Sequence, residues 1–314
     1  MSVAQAWTTA AAFGLDLALG DPRWALHPVR ALGTFIAWSE RRWRAFGRIA
    51  GLRAAGVLLW GFVLTVAGGF VAATLELAPE GWPRRALEAY WIYSFLAVRD
   101  LDVEASAAVA PLMRGDLAQA RRMTARIVGR DTHALDEEGV VRAAIETTAE
   151  SLSDGIVGPL FWLALGGPVA MALYKAANTL DSMVGYRNER YLELGWCSAR
   201  IDDLLNYVPA RLTALLISAT AALVGLSARG AWDAVRADAA KQPSPNSGYP
   251  EAAMAGAIGV QLGGLSFYSG TPSDKPTLGL PLHPLTLESF ARARRSLYAT
   301  SAVGALLAAT ARLG

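Results

Sequence analysis

The chain has 314 residues, of which 53% are hydrophobic and only 18% charged, whereas soluble domains carry about a quarter charged residues; lipid is the expected solvent for much of it. A formal net charge of +2 excludes the strong basic bias of nucleic-acid binders, and the single cysteine, Cys197, excludes an internal disulfide or a multi-cysteine metal centre. Nothing at the amino terminus resembles the basic n-region and cleavage site of a signal peptide, so the first apolar stretch is expected to persist.

In chain order, residues 3–20 are apolar apart from Gln5, two threonines and Asp16. Residues 54–75 run 22 positions without a charge, enough to cross about 30 Å of hydrocarbon. Arg41, Arg42, Arg44, Arg48 and Arg53 precede that stretch, and Glu76 and Glu80 follow it. The positive-inside bias puts the arginine side in the cytoplasm of an inner-membrane protein. Residues 86–98 are too short to cross without their flanks. Residues 99–154 hold 18 charges and predict two or three extramembrane helices, one opened by Gly115-Asp116 over 117–128, another introduced by Thr132 and Leu135.

Residues 156–174 are uncharged but interrupted by Gly158, Pro159, Gly166, Gly167 and Pro168. Such backbone survives at membrane depth only where protein or a water-filled cavity satisfies it, which makes it a pointer to a site. Uncharged runs at 212–228 and 297–311 come after it, with polar stretches at 185–206 and 241–251. The expected fold is an all-α polytopic membrane bundle with broken or re-entrant helices and an extramembrane helical segment. It divides into N-terminal membrane helices (1–98), a cytoplasmic helical segment (99–155) and C-terminal membrane helices with polar loops (156–314).

Five constellations are placed to carry chemistry. Asp21, Arg23 and His27 lie on an Asp-Pro/His-Pro turn after an apolar helix; proline breaks the helix there and leaves polar groups on the turn, unless they merely cap the next helix. Arg142, Glu146, Glu150 and Asp154 are spaced by four, hence along one helix face. A solvated Arg–Glu ladder is the plain alternative, but the run enters an uncharged segment directly, and carboxylates at that boundary suit Mg²⁺ together with substrate phosphates. Lys175, Asn178, Asp181 and Ser182 come after the interrupted stretch, where ionisable groups are costly and by default functional; the alternative is mutual neutralisation. Arg200, Asp202, Asp203, Asn206 and Arg211 offer a metal or phosphate-metal site, or simply an acidic pair at a helix N-terminus. Ser244, Asn246 and Gly248 sit in a Pro-rich turn before a small-residue helix, as an anion cradle or as an ordinary loop. Walker A, dinucleotide-binding, His-Glu-x-x-His and Gly-x-Ser-x-Gly patterns are absent.

Taken together in this order, the blocks resemble the adenosylcobinamide-phosphate synthase family, integral membrane proteins of cobalamin biosynthesis. The resemblance rests on Gly20-Asp21-Pro22-Arg23 with His27-Pro28, Arg130-Asp131-Thr132, Glu146 through Gly155, and Tyr174-Lys175 through Met183. It continues through Ala199-Arg200 with Asp202-Asp203, Asn206 and Pro209-Ala210-Arg211, then Ser244-Pro245-Asn246 with Pro250-Glu251-Ala252, and ends at Lys275-Pro276 with Leu278-Gly279.

The resemblance implies ATP-dependent amide formation between a corrin propionate of adenosylcobyric acid and aminopropanol or its O-phosphate. Under it, Glu146, Glu150, Asp154, Asp181, Asp202 and Asp203 are candidates for Mg²⁺ binding and for accepting the ammonium proton. Lys175, Asn178, Arg200 and Arg211 are candidates for ATP or amine-phosphate binding. Ser244, Asn246 and Gly248 would cradle an anion, and Asp21, Arg23 and His27 would meet the corrinoid. The lipid bilayer, a homo-oligomer or other cobalamin-assembly proteins are the expected partners. Because ATP and corrinoid are cytosolic, every polar block should face the cytoplasm, so 156–174 and 252–264 are expected to be buried or re-entrant. The competing reading is a transporter or permease built on intramembrane Lys175 and Asp181.

Overall fold

A computed structural model describes residues 3–22, 27–268 and 270–313. The chain runs α1 (Val3–Leu19), α2 (Pro28–Ala50), α3 (Leu52–Leu77), α4 (Trp82–Ser94), α5 (Val98–Val109), α6 (Leu117–Thr124), α7 (Glu137–Leu152) and α8 (Gly158–Val184). It continues through α9 (Trp196–Leu205), α10 (Tyr207–Ala221), α11 (Ala228–Asp238), α12 (Gly248–Ile258), β1 (Leu262–Tyr268), β2 (Thr271–Leu278) and α13 (Leu287–Ala311). Helix dominates, as expected. Among the described residues, three helical stretches are long and apolar enough to cross a membrane: Leu52–Leu77, Glu137–Val184 and Tyr207–Val224. The chain forms two compact units, one of Met1–Ala97, Gly158–Asn206 and Ala305–Gly314, the other of Val98–Val157 and Tyr207–Gly304.

In the first unit, α3 is about 39 Å long and buries Leu59 and Val63 in a core with Ile36 of α2 and Ala176, Leu180 and Val184 of α8. Close approach rests on glycine: a Cβ on Gly56 would lie 2.1 Å from the Leu194 carbonyl oxygen, the small-residue packing typical of membrane helices. The opposite side of α3 exposes Val57, Leu58, Phe62, Val66 and Phe70, a stripe that water would penalise and lipid would not. The interruption read in the sequence is real. Gly166 (φ −143°, ψ 19°) and Gly167 (φ 69°, ψ −165°) break α8 ahead of Pro168. After the break, 168–184 is about 26 Å long, and before it the helix runs back through Ser153–Val157 into α7.

In the second unit, α5, α6 and α7 supply the helices expected between 100 and 155. Two boundaries differ from the sequence reading. The helix after Asp116 ends at Thr124, where the Ile127 and Val128 N–H groups turn back to the Thr124 carbonyl. The start of α7 is capped by Asp136, whose carboxylate accepts from Gly139 N at 2.8 Å, rather than by Thr132. Gly230 of α11 and Gly256 of α12 meet backbone to backbone, for a Cβ on Gly256 would lie 2.1 Å from the Gly230 carbonyl oxygen. At about 16 Å, α12 is too short to cross a membrane, and Ala252 through Ala255 are fully buried.

The antiparallel hairpin β1–β2 was not anticipated. Gly264 pairs with Lys275, Ser266 with Ser273 and Tyr268 with Thr271, and the register is irregular at Leu262/Gly264. Gly263 and Gly264 there have φ of 82° and 79°, which suits glycine and makes a bulge.

Candidate functional site

The second unit gathers acids and cations from α7, α12 and the hairpin. Glu146 is 5% exposed; its Oε2 accepts from Arg130 Nη2, and its Oε1 accepts from Gly263 N at 2.8 Å. The bulge turns that N–H towards α7, and glycine is required because a Cβ on Gly263 would lie 2.2 Å from the Pro276 carbonyl oxygen. Arg130 also donates to Ser266 Oγ at 3.3 Å. Burial works against its charge, but Glu146 prevails and raises its pKa.

Glu251 of α12 is 7% exposed and accepts from Gln242 Nε2 at 3.0 Å. Burial first, then repulsion by Glu150 and Glu146, holds it well above the usual carboxylate range despite Lys275 and Arg130. Lys275 Nζ stands 5.7 Å from the Tyr268 ring centroid. Glu150, one helical turn beyond Glu146, remains accessible.

Spacing by four correctly aligns Arg142, Glu146 and Glu150, but α7 ends at Leu152 and the chain continues as a π turn over Ser153–Val157. Asp154 therefore falls outside the α-helical ladder, because the wider i→i+5 turn departs from 100° per residue. Nor is the ladder built of neighbouring Arg–Glu pairs: Glu146 takes Arg130, 16 residues away.

Arg211 and the 244–248 loop hold one another. Its guanidinium lies 3.5 Å from the Tyr207 ring centroid and 4.1 Å from that of Tyr249, and it donates to Asn246 Oδ1 and the Pro245 carbonyl oxygen, both at 3.5 Å. Ser244 Oγ accepts the Asn246 and Ser247 N–H groups at 3.3 and 3.2 Å, so two of the cradle's donors are engaged within the turn. Gly248 allows close packing, since a Cβ there would lie 2.1 Å from the Ala239 carbonyl oxygen.

The first unit holds the acids of α8 and α9. Asp202 is 9% exposed. Asn178 Nδ2 donates to its Oδ1 at 3.4 Å and Asn206 Nδ2 to its Oδ2 at 3.0 Å, while Tyr174 OH donates to Asn206 Oδ1 at 2.6 Å. Burial and then Asp181 push the Asp202 carboxyl up to about 7, against the pull of both amides. Burial also raises Asp203, opposed by Arg200 and Arg187. Lys175 is partly buried on α8 and Arg200 is exposed on α9. His27 is buried, with Nε2 3.7 Å from Asp21 Oδ1; burial first, then Arg30 and Lys175, lowers its pKa. Arg23 lies outside the described residues.

Among the described residues, no three His, Cys, Asp or Glu side chains are grouped as a ready-made metal cage. Asp181 Oδ1 is buried without a hydrogen bond, an orphan that a hard cation would satisfy, and Mg²⁺ needs only one or two carboxylates where phosphates complete its shell.

The structure thus joins Glu146 and Glu150, joins Asn178, Asp181, Asp202 and Asp203, and joins Arg211 with Asn246. To the first group it adds Arg130, Glu251 and Lys275, which the family resemblance spans but to which it gave no role. Their position next to Pro or Asp offered no periodic signal.

The sequence model of a family described as CobD/Cbib protein matches residues 9–297. A cobalamin biosynthesis protein CobD of Geobacter metallireducens is 47% identical over 298 residues, 94% of this chain and 93% of that protein. One from Pelobacter propionicus is 48% identical over 306 residues, covering 95% and 93%. The cobalamin biosynthesis protein CbiB of Salmonella typhi is 41% identical over 314 residues, covering 96% of each chain. No solved structure matches.

Proposed function

Because the chain belongs to the CobD/CbiB family and so has a role in cobalamin biosynthesis, we propose that it joins a corrin propionate of adenosylcobyric acid to aminopropanol, or its O-phosphate, by ATP-dependent amide synthesis at the cytoplasmic face of the inner membrane. The observation that carries this reading is the convergence of Glu146, Glu150 and Glu251 with Arg130 and Lys275. One ion pair would suffice to tie α7 to the hairpin; a second and third acid, one of them desolvated, add cost without adding stability and mark a functional site.

The chemistry suits such a site. A carboxylate is a poor electrophile, so phosphoryl transfer from ATP makes it an acyl phosphate. The amine then forms the C–N bond, the C–O bond to phosphate breaks, and the ammonium gives up a proton. Phosphoryl transfer asks the protein mainly for positioning and charge neutralisation. Glu150, accessible beside its buried neighbours, is the acceptor for that proton. Asp181, Asp202 and Asp203 are the acids for Mg²⁺, which when bound offsets phosphate charge. Lys175, Arg200 and Arg211 are the cations for ATP or the amine's phosphate.

Purified protein in detergent should consume ATP only when corrinoid and amine are both present. Alanine at Glu146, Asp181 or Asp203 should abolish amide formation while leaving membrane insertion intact, and wild-type turnover in all three would discard the assignment. The break in α8 at Gly166-Gly167 favours a second reading, a transporter with an interrupted helix. Solute movement by vesicles without ATP-linked amide formation would select it.

A further inference from the structure

Arg142 is unused by the mechanism above. It stands on α7 one turn before Glu146, forms no hydrogen bond or ion pair among the described residues, and has its Nε buried without a partner. A guanidinium nitrogen shut off from water with no acceptor is costly, and Arg142 has no acidic partner among the described residues to offset it. Its Nη1 would lie 3.6 Å from a Cβ built on Gly264, which puts the group against β1.

Gly264, Ser266 and Tyr268 alternate onto one face of β1. Each is met by a cation: Arg142 at Gly264, Arg130 at Ser266 (3.3 Å) and Lys275 at Tyr268 (5.7 Å to the ring). Lys275 enters from β2, where it stands opposite Gly264, so the three cations gather on one face of the hairpin. A single carboxylate would engage one member of such a group; a chain of phosphates engages all three. Arg130 is already matched by Glu146, which leaves Arg142 and Lys275 as the members without an ion pair among the described residues. Burial of Glu251 favours its neutral form, which limits the negative charge set against an incoming anion.

We propose that Arg142, Arg130 and Lys275 form a track for the polyphosphate of a nucleotide, with Arg142 the member that is unpaired until the anion binds. The nucleotide identity rests on the ATP-dependent reading above; the polyphosphate track does not.

The test uses the full chain in detergent, with inorganic tripolyphosphate as the probe and calorimetry and melting temperature as readouts. Wild type should bind and be stabilised, Arg142→Gln should bind at least tenfold more weakly, and Arg142→Lys, which keeps charge but loses the planar fork, should fall between. Arg142→Gln should melt close to wild type without the probe, because no hydrogen bond or ion pair is lost. A lipid phosphate offers the same chemistry, so phosphatidylglycerol in mixed micelles is titrated in parallel. Tripolyphosphate binding unchanged in Arg142→Gln, or absent from wild type while phosphatidylglycerol binds, overturns the proposal. Arg142-dependent tripolyphosphate binding with no amide product would uphold the track and discard the reaction.

Discussion

Replacing Arg130 by Met isolates the Glu146 ion pair. The two side chains are 8% and 6% exposed, so losing the guanidinium leaves a buried carboxylate supported only by the Gly263 N–H at 2.8 Å. Breaking a buried pair from one side costs about 3–5 kcal/mol. The companion variant Arg130→Met/Glu146→Gln removes both charges; the Gln carbonyl can still accept from Gly263, while its buried Nε2 donor facing Met costs about 1–3 kcal/mol. The double variant should therefore be destabilised by less than Arg130→Met, because no buried charge is left without its partner; with Glu146→Gln as the other single variant the cycle gives the coupling energy. Equilibrium unfolding in mixed micelles with added dodecyl sulfate measures these differences, and amide formation is assayed alongside. The double variant should be folded and inactive. A cost below about 1 kcal/mol for Arg130→Met, or a double variant as unstable as the single, would refute a desolvated pair buttressed by the bulge.

Individual contacts set further outcomes. Gly256→Ala should lower stability by about 1–3 kcal/mol, because its Cβ would meet the Gly230 carbonyl oxygen at 2.1 Å, whereas Gly61→Ala on α3, with nothing within 4 Å, should be neutral or stabilising; thermal melting separates them. Glu251 keeps its proton in the folded state at pH values where the unfolded chain has released it. Stability should therefore be greatest in acid and fall as pH rises from the ordinary carboxylate range through the raised value, with a flatter melting profile for Glu251→Gln. A cysteine at Ile49, which is 89% exposed, should react only with cytoplasmic thiol reagents and one at Glu80 only with external ones. Wild-type background should be low because Cys197 is buried, and the reverse labelling would overturn the orientation read from the arginines.

Periodicity and punctuation carried the helical part of the fold. An uncharged run with arginines before it and glutamates after it locates α3, and Gly166-Gly167-Pro168 marks the break in α8 because each of those residues has a specific backbone consequence. Spacing by four located the Glu146–Glu150 face. The π turn after Leu152 left no such trace: any five residues can adopt it, so the fate of Asp154 was not legible. Burial of Glu251 and the pairing of Arg130 with Glu146 likewise depend on segments far apart in sequence.

The hairpin is the instructive failure. β1 carries Gly263 and Gly264, and β2 carries Pro272 and Pro276 among polar residues, which argue against strand and outweigh Phe267 and Tyr268. Both strands are edges, however, so a proline costs no ladder bond on the unpaired side, and the glycines permit the positive-φ bulge that aims an N–H at Glu146. The features that hide the hairpin from sequence reading are the ones its position against α7 requires. A side chain at Gly263 would strike Pro276, and a β-branched run, though easily recognised as strand, would not take the positive φ of Gly263 and Gly264. Glycine, proline and isolated charge without period are here the local signs of the site, and a search for chemistry in such chains does better to begin where the hydrophobic pattern stops.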